Sequence, residues 1–136
     1  MNLKRAIRIG VLTYITLLII GGIAISFLGI NPMQRDKISN SVFAVHIITT
    51  IIIAAVSTLF YLKDKKIKSN AKEGLLFGIV LIIIGFILDM LFVLIYSFIS
   101  SSKIDLLEYY IDPIFWSGLI LLLATTAIIG SIKGKK

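Results

Sequence analysis

Four long apolar stretches, roughly Ile9–Ile30, Ser41–Leu62, Gly74–Ile99 and Pro113–Ile132, are separated by short charged segments. Each is about as long as the ~20 residues an α-helix needs to cross a hydrocarbon core ~30 Å thick. Within such a core the backbone must satisfy its own hydrogen bonds, and for segments of this length the helix does so. The pattern predicts an all-α integral membrane protein with four transmembrane helices. About 90 of the 136 residues fall in the spans, and the loops are too short to fold alone. Residues 1–136 therefore read as a single four-helix transmembrane domain. A mean hydropathy of +1.03, with 58% hydrophobic residues, excludes an ordinary soluble domain.

The formal charge is +7. In a soluble protein that excess points toward nucleic acid, but here its distribution points elsewhere. Lys4, Arg5 and Arg8 precede the first span, Lys63, Lys65, Lys66, Lys68 and Lys72 lie between the second and third, and Lys133, Lys135 and Lys136 follow the fourth. Eleven of the 14 basic residues thus fall on one side of an even-span topology. Arg35, Lys37 and Lys103 fall on the other, beside Asp36, Asp105, Glu108 and Asp112. The positive-inside rule places both termini in the cytoplasm and predicts a multi-pass protein of the cell membrane. Its partners would be membrane lipids, including anionic headgroups, and no nucleic acid. A basic start before an apolar run also describes a signal peptide, with Ala24-Ile25-Ser26 as a small-x-small site. The run is long for that role and continues through Phe27–Ile30, so a retained first span is expected.

Local signals agree with the hydropathy. Asn31-Pro32 stops the first helix, because the residue before proline is pushed out of the α region. Ser39, Asn40 and Ser41 offer N-caps for the second. Asn70 with Glu73 resembles a capping box that starts the third slightly before Gly74. Asp112-Pro113 is a strong start for the fourth. Short connections predict two antiparallel hairpins, N-in and C-in. In the outer loop, Ser102-x-x-Asp105 fits the cap of a short surface helix. Tyr96, Tyr109, Tyr110, Phe115 and Trp116 form an expected outer aromatic belt, with Phe60 and Tyr61 as a thinner inner one. Gly10 and Gly21 have the same 11-residue separation as Gly74 and Gly85, and Leu17–Ile20 matches Leu81–Ile84. If the two halves are a duplication, both enter and leave on the same side, as in parallel repeats.

Asp89 is the most expensive residue in the spans, since a carboxyl group at mid-membrane costs roughly 2.5–3.5 kcal/mol on insertion scales. At 100° per residue it shares an arc with Gly74, Gly78 and Gly85, the expected helix-packing face. His46 lies at a similar depth on the second helix, on one face with Thr50, Ser57 and Tyr61, so an Asp89–His46 contact is expected. That pair has two readings: a hydrogen bond that fixes helix register, or an intramembrane proton or cation site. One His and one Asp are too few for a zinc site, and the outer carboxylates Asp105, Glu108 and Asp112 are the nearest further ligands. There is no Cys, hence no thiol chemistry. No catalytic constellation, cofactor motif or metal motif is read, and the expectation is a protein that is not an enzyme. Thr13, Thr16, Thr49, Thr125, Thr126 and Ser117 read as helix hydrogen bonders, including bonds back to the i−4 carbonyl.

Lys72–Phe92 (KEGLLFGIVLIIIGFILDMLF) combines a charged start, glycines and a late Asp. It resembles a segment of small uncharacterised four-span membrane proteins of archaea and bacteria, a resemblance that implies the same fold and no activity. The small multidrug-resistance transporters share the size and span number, but they carry a membrane carboxylate in the first helix and this chain has none there. Two functions are therefore expected in order: an interaction or accessory subunit acting through helix contacts, with itself as a homo-oligomer or with a membrane complex; and, second, a small proton- or cation-coupled transporter acting as an oligomer through Asp89 and His46.

Overall fold

A computed structural model of the chain describes residues 1–27, 40–100 and 113–135. Within them the chain is all-helical, with four helices: α1 (Leu3–Phe27), α2 (Asn40–Tyr61), α3 (Ala71–Ser100) and α4 (Pro113–Gly134). The described residues include no strand. The helix starts are written locally. The Asn70 side-chain oxygen accepts from the Glu73 amide at 2.8 Å, so α3 begins at Ala71. Only this half of the capping box forms, because the Glu73 carboxylate accepts instead from the Tyr61 hydroxyl at 2.6 Å. Asn2 caps α1 in the same way, its oxygen accepting from the Arg5 amide at 3.2 Å. α1 therefore starts well before the apolar run. Pro113 is the first residue of α4. The segments 28–39 and 101–112, with the expected Asn31-Pro32 stop and the Ser102-x-x-Asp105 cap, lie outside the described residues.

Around the bundle the order is α1, α2, α4, α3. Each helix packs on the next in that order, α2 and α3 meet only weakly across a diagonal, and α1 and α4 make no close backbone approach among the described residues. α1 and α3 run parallel. The Met1 amino group lies 3.4 Å from Glu73, Gly10 faces Leu81 and Ile84, and Tyr14 reaches Asp89. α3 and α4 run antiparallel, with Gly74 beside Gly130 and Phe86 edge-to-face with Phe115 at 5.7 Å. A two-fold axis along the bundle that exchanged the hairpins would place α1 diagonal to α3. The two halves instead sit side by side.

Among the described residues the tightest packing is at the end where α1 and α3 begin and α2 and α4 finish. Ala6, Tyr61, Leu62, Ile67, Phe77 and Leu81 form its core. Tyr61 departs from the expected inner aromatic belt. Its ring is 0% exposed and stacks on Phe77 at 4.4 Å, while its neighbour Phe60 is exposed. A phenol is buried here because α3 supplies both a flat ring and a carboxylate acceptor for it. Elsewhere hydroxyls satisfy themselves: Thr13 bonds the Ile9 carbonyl at 2.7 Å, Thr16 that of Leu12 at 2.8 Å, and Thr126 that of Leu123 at 3.0 Å.

Two helical segments, Ala71–Ile95 and Phe115–Gly134, are long and apolar enough to cross a membrane, and α2 adds a shorter apolar run, Ile47–Tyr61. In each of the two longer segments only 17% of the most apolar window is buried. Their apolar side chains mostly face outward.

Candidate functional site

Among the described residues, bonded polar side chains gather chiefly in two places. At the tightly packed end, the first residues of α1 are tied to the last turn of α2. The Arg5 guanidinium donates to the Phe60 carbonyl at 2.6 Å and to the Tyr61 carbonyl at 3.0 Å. These are carbonyls that a helix end leaves without intrahelical partners, and a cation there also meets the negative end of the helix dipole. Asp64 lies 3.9 Å from the same guanidinium. Next to it, the Tyr61 hydroxyl donates to Glu73 and accepts from the Asn2 amide at 3.2 Å. Lys133 of α4 reaches the Leu59 carbonyl at 3.5 Å. Four chain segments are thus fastened together at one level.

The second place is the α1–α3 interface further along. Gly10 has no side chain, so Leu81 and Ile84 of α3 come close to its backbone. One turn later, Tyr14 donates from its hydroxyl to the Asp89 carboxylate. Both residues are half-buried. The pair meets the requirement that a carboxyl group within an apolar bundle has a hydrogen-bond partner. Sequence reasoning expected His46 in that position. His46 lies on α2, and its side chain is outside the described residues. Tyr14 had one legible signal, its place one turn after a glycine on α1.

The glycine face divides. At Gly74 an added Cβ would overlap the Thr126 carbonyl oxygen, with the Cα of Gly130 at 3.2 Å. At Gly78 it would run into the Thr126 hydroxyl, with Leu123 at 3.1 Å. At Gly85 nothing lies within 4 Å, and the same is true of Gly21. Gly85 shares the arc of Gly74 and Gly78, so its open surroundings come from the partner side. α3 and α4 touch backbone to backbone at Gly74, whereas bulky rings, Phe86 against Phe115, make their contact beyond Gly85. Sequence reasoning missed the α4 counterpart, Thr126, Gly130 and Gly134. Their spacing of four puts small groups on one face, and the backbone of Gly134 lies against Ser69.

Among the described residues no group of three or more His, Cys, Asp or Glu side chains could hold a metal ion. Asp105, Glu108 and Asp112 are outside them. No family model matches the chain, and neither a curated protein nor a solved structure is found to be similar to it.

Proposed function

We propose that this chain is a four-span protein of the cell membrane, built from two antiparallel hairpins with both termini in the cytoplasm. It works through helix contacts, as an interaction or accessory subunit. The observation that carries the reading is the outward apolar surface of α3 and α4. Ile79, Ile83, Ile87, Leu91, Leu94 and Ile95 of α3 and Ile120, Ile128 and Ile132 of α4 are all exposed. Water would penalise apolar exposure on this scale, and lipid chains would not. Charge supports the orientation. The end that gathers the start of α1, the α2–α3 connection and the end of α4 carries eleven basic residues, with Asp64 and Glu73 as its acids. Single cysteines at Ser69 and Ser101, labelled in intact cells with an impermeant thiol reagent, test it. Labelling at 101 alone is expected; labelling at 69 without 101 overturns the orientation.

Co-purification from native membranes in mild detergent tests the function, with a stoichiometric heterologous partner as the expected result. A second reading, a proton- or cation-coupled transporter acting as an oligomer, is favoured by one specific feature: Asp89 is held by Tyr14 one turn from the open space beside Gly85. An isolated homodimer, together with pH-dependent ion flux in proteoliposomes that is lost in Asp89→Asn, would replace the first reading with the second.

A further inference from the structure

Between α1 and α3 an apolar groove of about 320 Å³ opens on the outer surface. Its α1 wall is Leu3, Ile7 and Val11, successive residues of one stripe, and Val80, Ile83 and Ile87 line the α3 side. The groove runs from Leu3 to Val11 and from Val80 to Leu88, about 12 Å along each helix at 1.5 Å per residue, less than one leaflet of a ~30 Å core. Three cations flank it. Lys4 and Arg8 each follow a lining residue of α1 by one position. Lys72 precedes Ile83 by eleven residues, close to three whole turns, and so lies on the same stripe of α3. All three are exposed.

What sets these three apart is their place beside the groove, since other charged groups near it are already engaged. Arg5 is held on the α2 carbonyls and beside Asp64, Lys133 reaches the Leu59 carbonyl, and Glu73 is taken by Tyr61 and the Met1 amino group. Lys4, Arg8 and Lys72 make no hydrogen bond or ion pair among the described residues. Because α1 and α3 run parallel and side chains lean toward a helix N-terminus, all three lean toward the basic end, where their charged tips reach the headgroup level.

We propose that this groove binds one anionic phospholipid of the leaflet at the basic end, with an acyl chain between Ile7, Val11, Val80, Ile83 and Ile87, the phosphate on Lys4 and Arg8, and Lys72 nearer the bundle end beside the rest of the headgroup. The inference rests on the membrane reading above. Charge selects the occupant. Copies of this chain inserted the same way carry their basic ends at the same level, so a second copy seated here would set cations against cations. An anionic headgroup neutralises them.

The test uses the full chain in mild detergent, with native mass spectrometry after addition of equal amounts of phosphatidylglycerol and phosphatidylcholine. Retention of one phosphatidylglycerol is expected, with a preference on the order of ten-fold. The combined change Lys4→Gln, Arg8→Gln, Lys72→Gln should abolish the preference. Lys65→Gln, Lys66→Gln, Lys68→Gln, an equal charge loss in the α2–α3 connection, should leave it intact. Ile83→Trp, and independently Ile87→Trp, fill the groove from half-exposed positions and should remove the bound lipid. Equal loss in both triple variants overturns the site in favour of diffuse surface charge. Conversion of a dimer to a monomer by the tryptophan variants overturns it in favour of a second copy. Detergent phase partitioning separates the two levels: a chain that stays in the aqueous phase refutes the membrane reading, and one that enters detergent without retaining phosphatidylglycerol refutes only the lipid site.

Discussion

Substituting alanine at three glycines of one α3 face should give three different outcomes, ordered by what each new methyl group meets. At Gly74 the neighbours are backbone on the opposite helix: the Thr126 carbonyl oxygen, its carbon at 3.0 Å and the Gly130 Cα at 3.2 Å. Nothing there can rotate away, so α3 and α4 must separate. Overpacking of this kind costs about 1–3 kcal/mol. At Gly78 the neighbours are side chains, the Thr126 hydroxyl and a Leu123 methyl, which can turn aside, and the cost should fall near the lower bound. Gly85 has open space, and alanine there should be neutral or stabilising by up to about 1 kcal/mol through reduced backbone freedom in the unfolded chain. Gly130→Ala should match Gly74→Ala, and the double variant should cost less than the two together because both open one contact. Unfolding in mixed micelles with rising SDS, followed by circular dichroism and by the single tryptophan, Trp116 of α4, measures the series. A loss of 1–2 kcal/mol changes the folded-to-unfolded ratio roughly 5- to 30-fold, well within range. If Gly85→Ala costs more than Gly74→Ala, the close approach does not hold the bundle together, and the reasoning fails.

Three further outcomes follow from named contacts. Tyr61→Phe keeps the stack on Phe77 but leaves Glu73 and the Asn2 amide short of a partner, and should cost about 1–3 kcal/mol; Tyr61→Ala also empties the core and should cost about 3–5 kcal/mol, both read by the same unfolding titration. Arg5→Lys should lose most of what Arg5→Ala loses, about 1 kcal/mol, because an ammonium does not present the fork that spans the Phe60 and Tyr61 carbonyls; equal stability of Arg5→Lys and wild type contradicts this. Tyr14→Phe should weaken the α1–α3 contact by about 0.6 kcal/mol and at most about 1.7, and Asp89→Leu should do at least as much; if both match wild type, Asp89 is not a helix contact.

Four helices were legible because apolar run length and start signals are local properties. Asn70 and Pro113 mark their helix starts by chemistry that involves only a few neighbouring residues. The arrangement of those helices was much less legible. α3 and α4 are apolar nearly all round, so hydropathy does not say which side faces a neighbour. Only glycines and polar groups break that uniformity. They identified the Gly74–Gly78 face, but not how far along it the partner helix stays close, which depends on the bulk of Phe86 and Phe115. Tyr61 shows the same limit. An aromatic at a span end fits a headgroup belt, and its burial became visible only once Phe77 and Glu73, 16 and 12 residues away, were placed beside it. Tyr14, which bonds Asp89, went unread for a related reason. Histidine is a conspicuous carboxylate partner, whereas Tyr14 reads as one more apolar residue until α1 and α3 are known to run parallel.

Two levels of the described bundle are built differently, and that asymmetry bears on the proposed function. At the basic end, main chains touch at Gly74 and Gly130, and Arg5, Tyr61 and Glu73 cross-link α1, α2 and α3. Water and headgroups compete with polar contacts at that level, so several must act together to hold the helices. Beyond it, Gly21 and Gly85 face open space, and Tyr14–Asp89 ties α1 to α3. A partner helix would gain most contact in that half, and a travelling cation would meet its carboxylate there. On the cation reading the Tyr14–Asp89 bond is what must yield. A cation would replace the phenol as the ligand of Asp89, whereas a partner helix packing beside Gly85 would leave that bond in place.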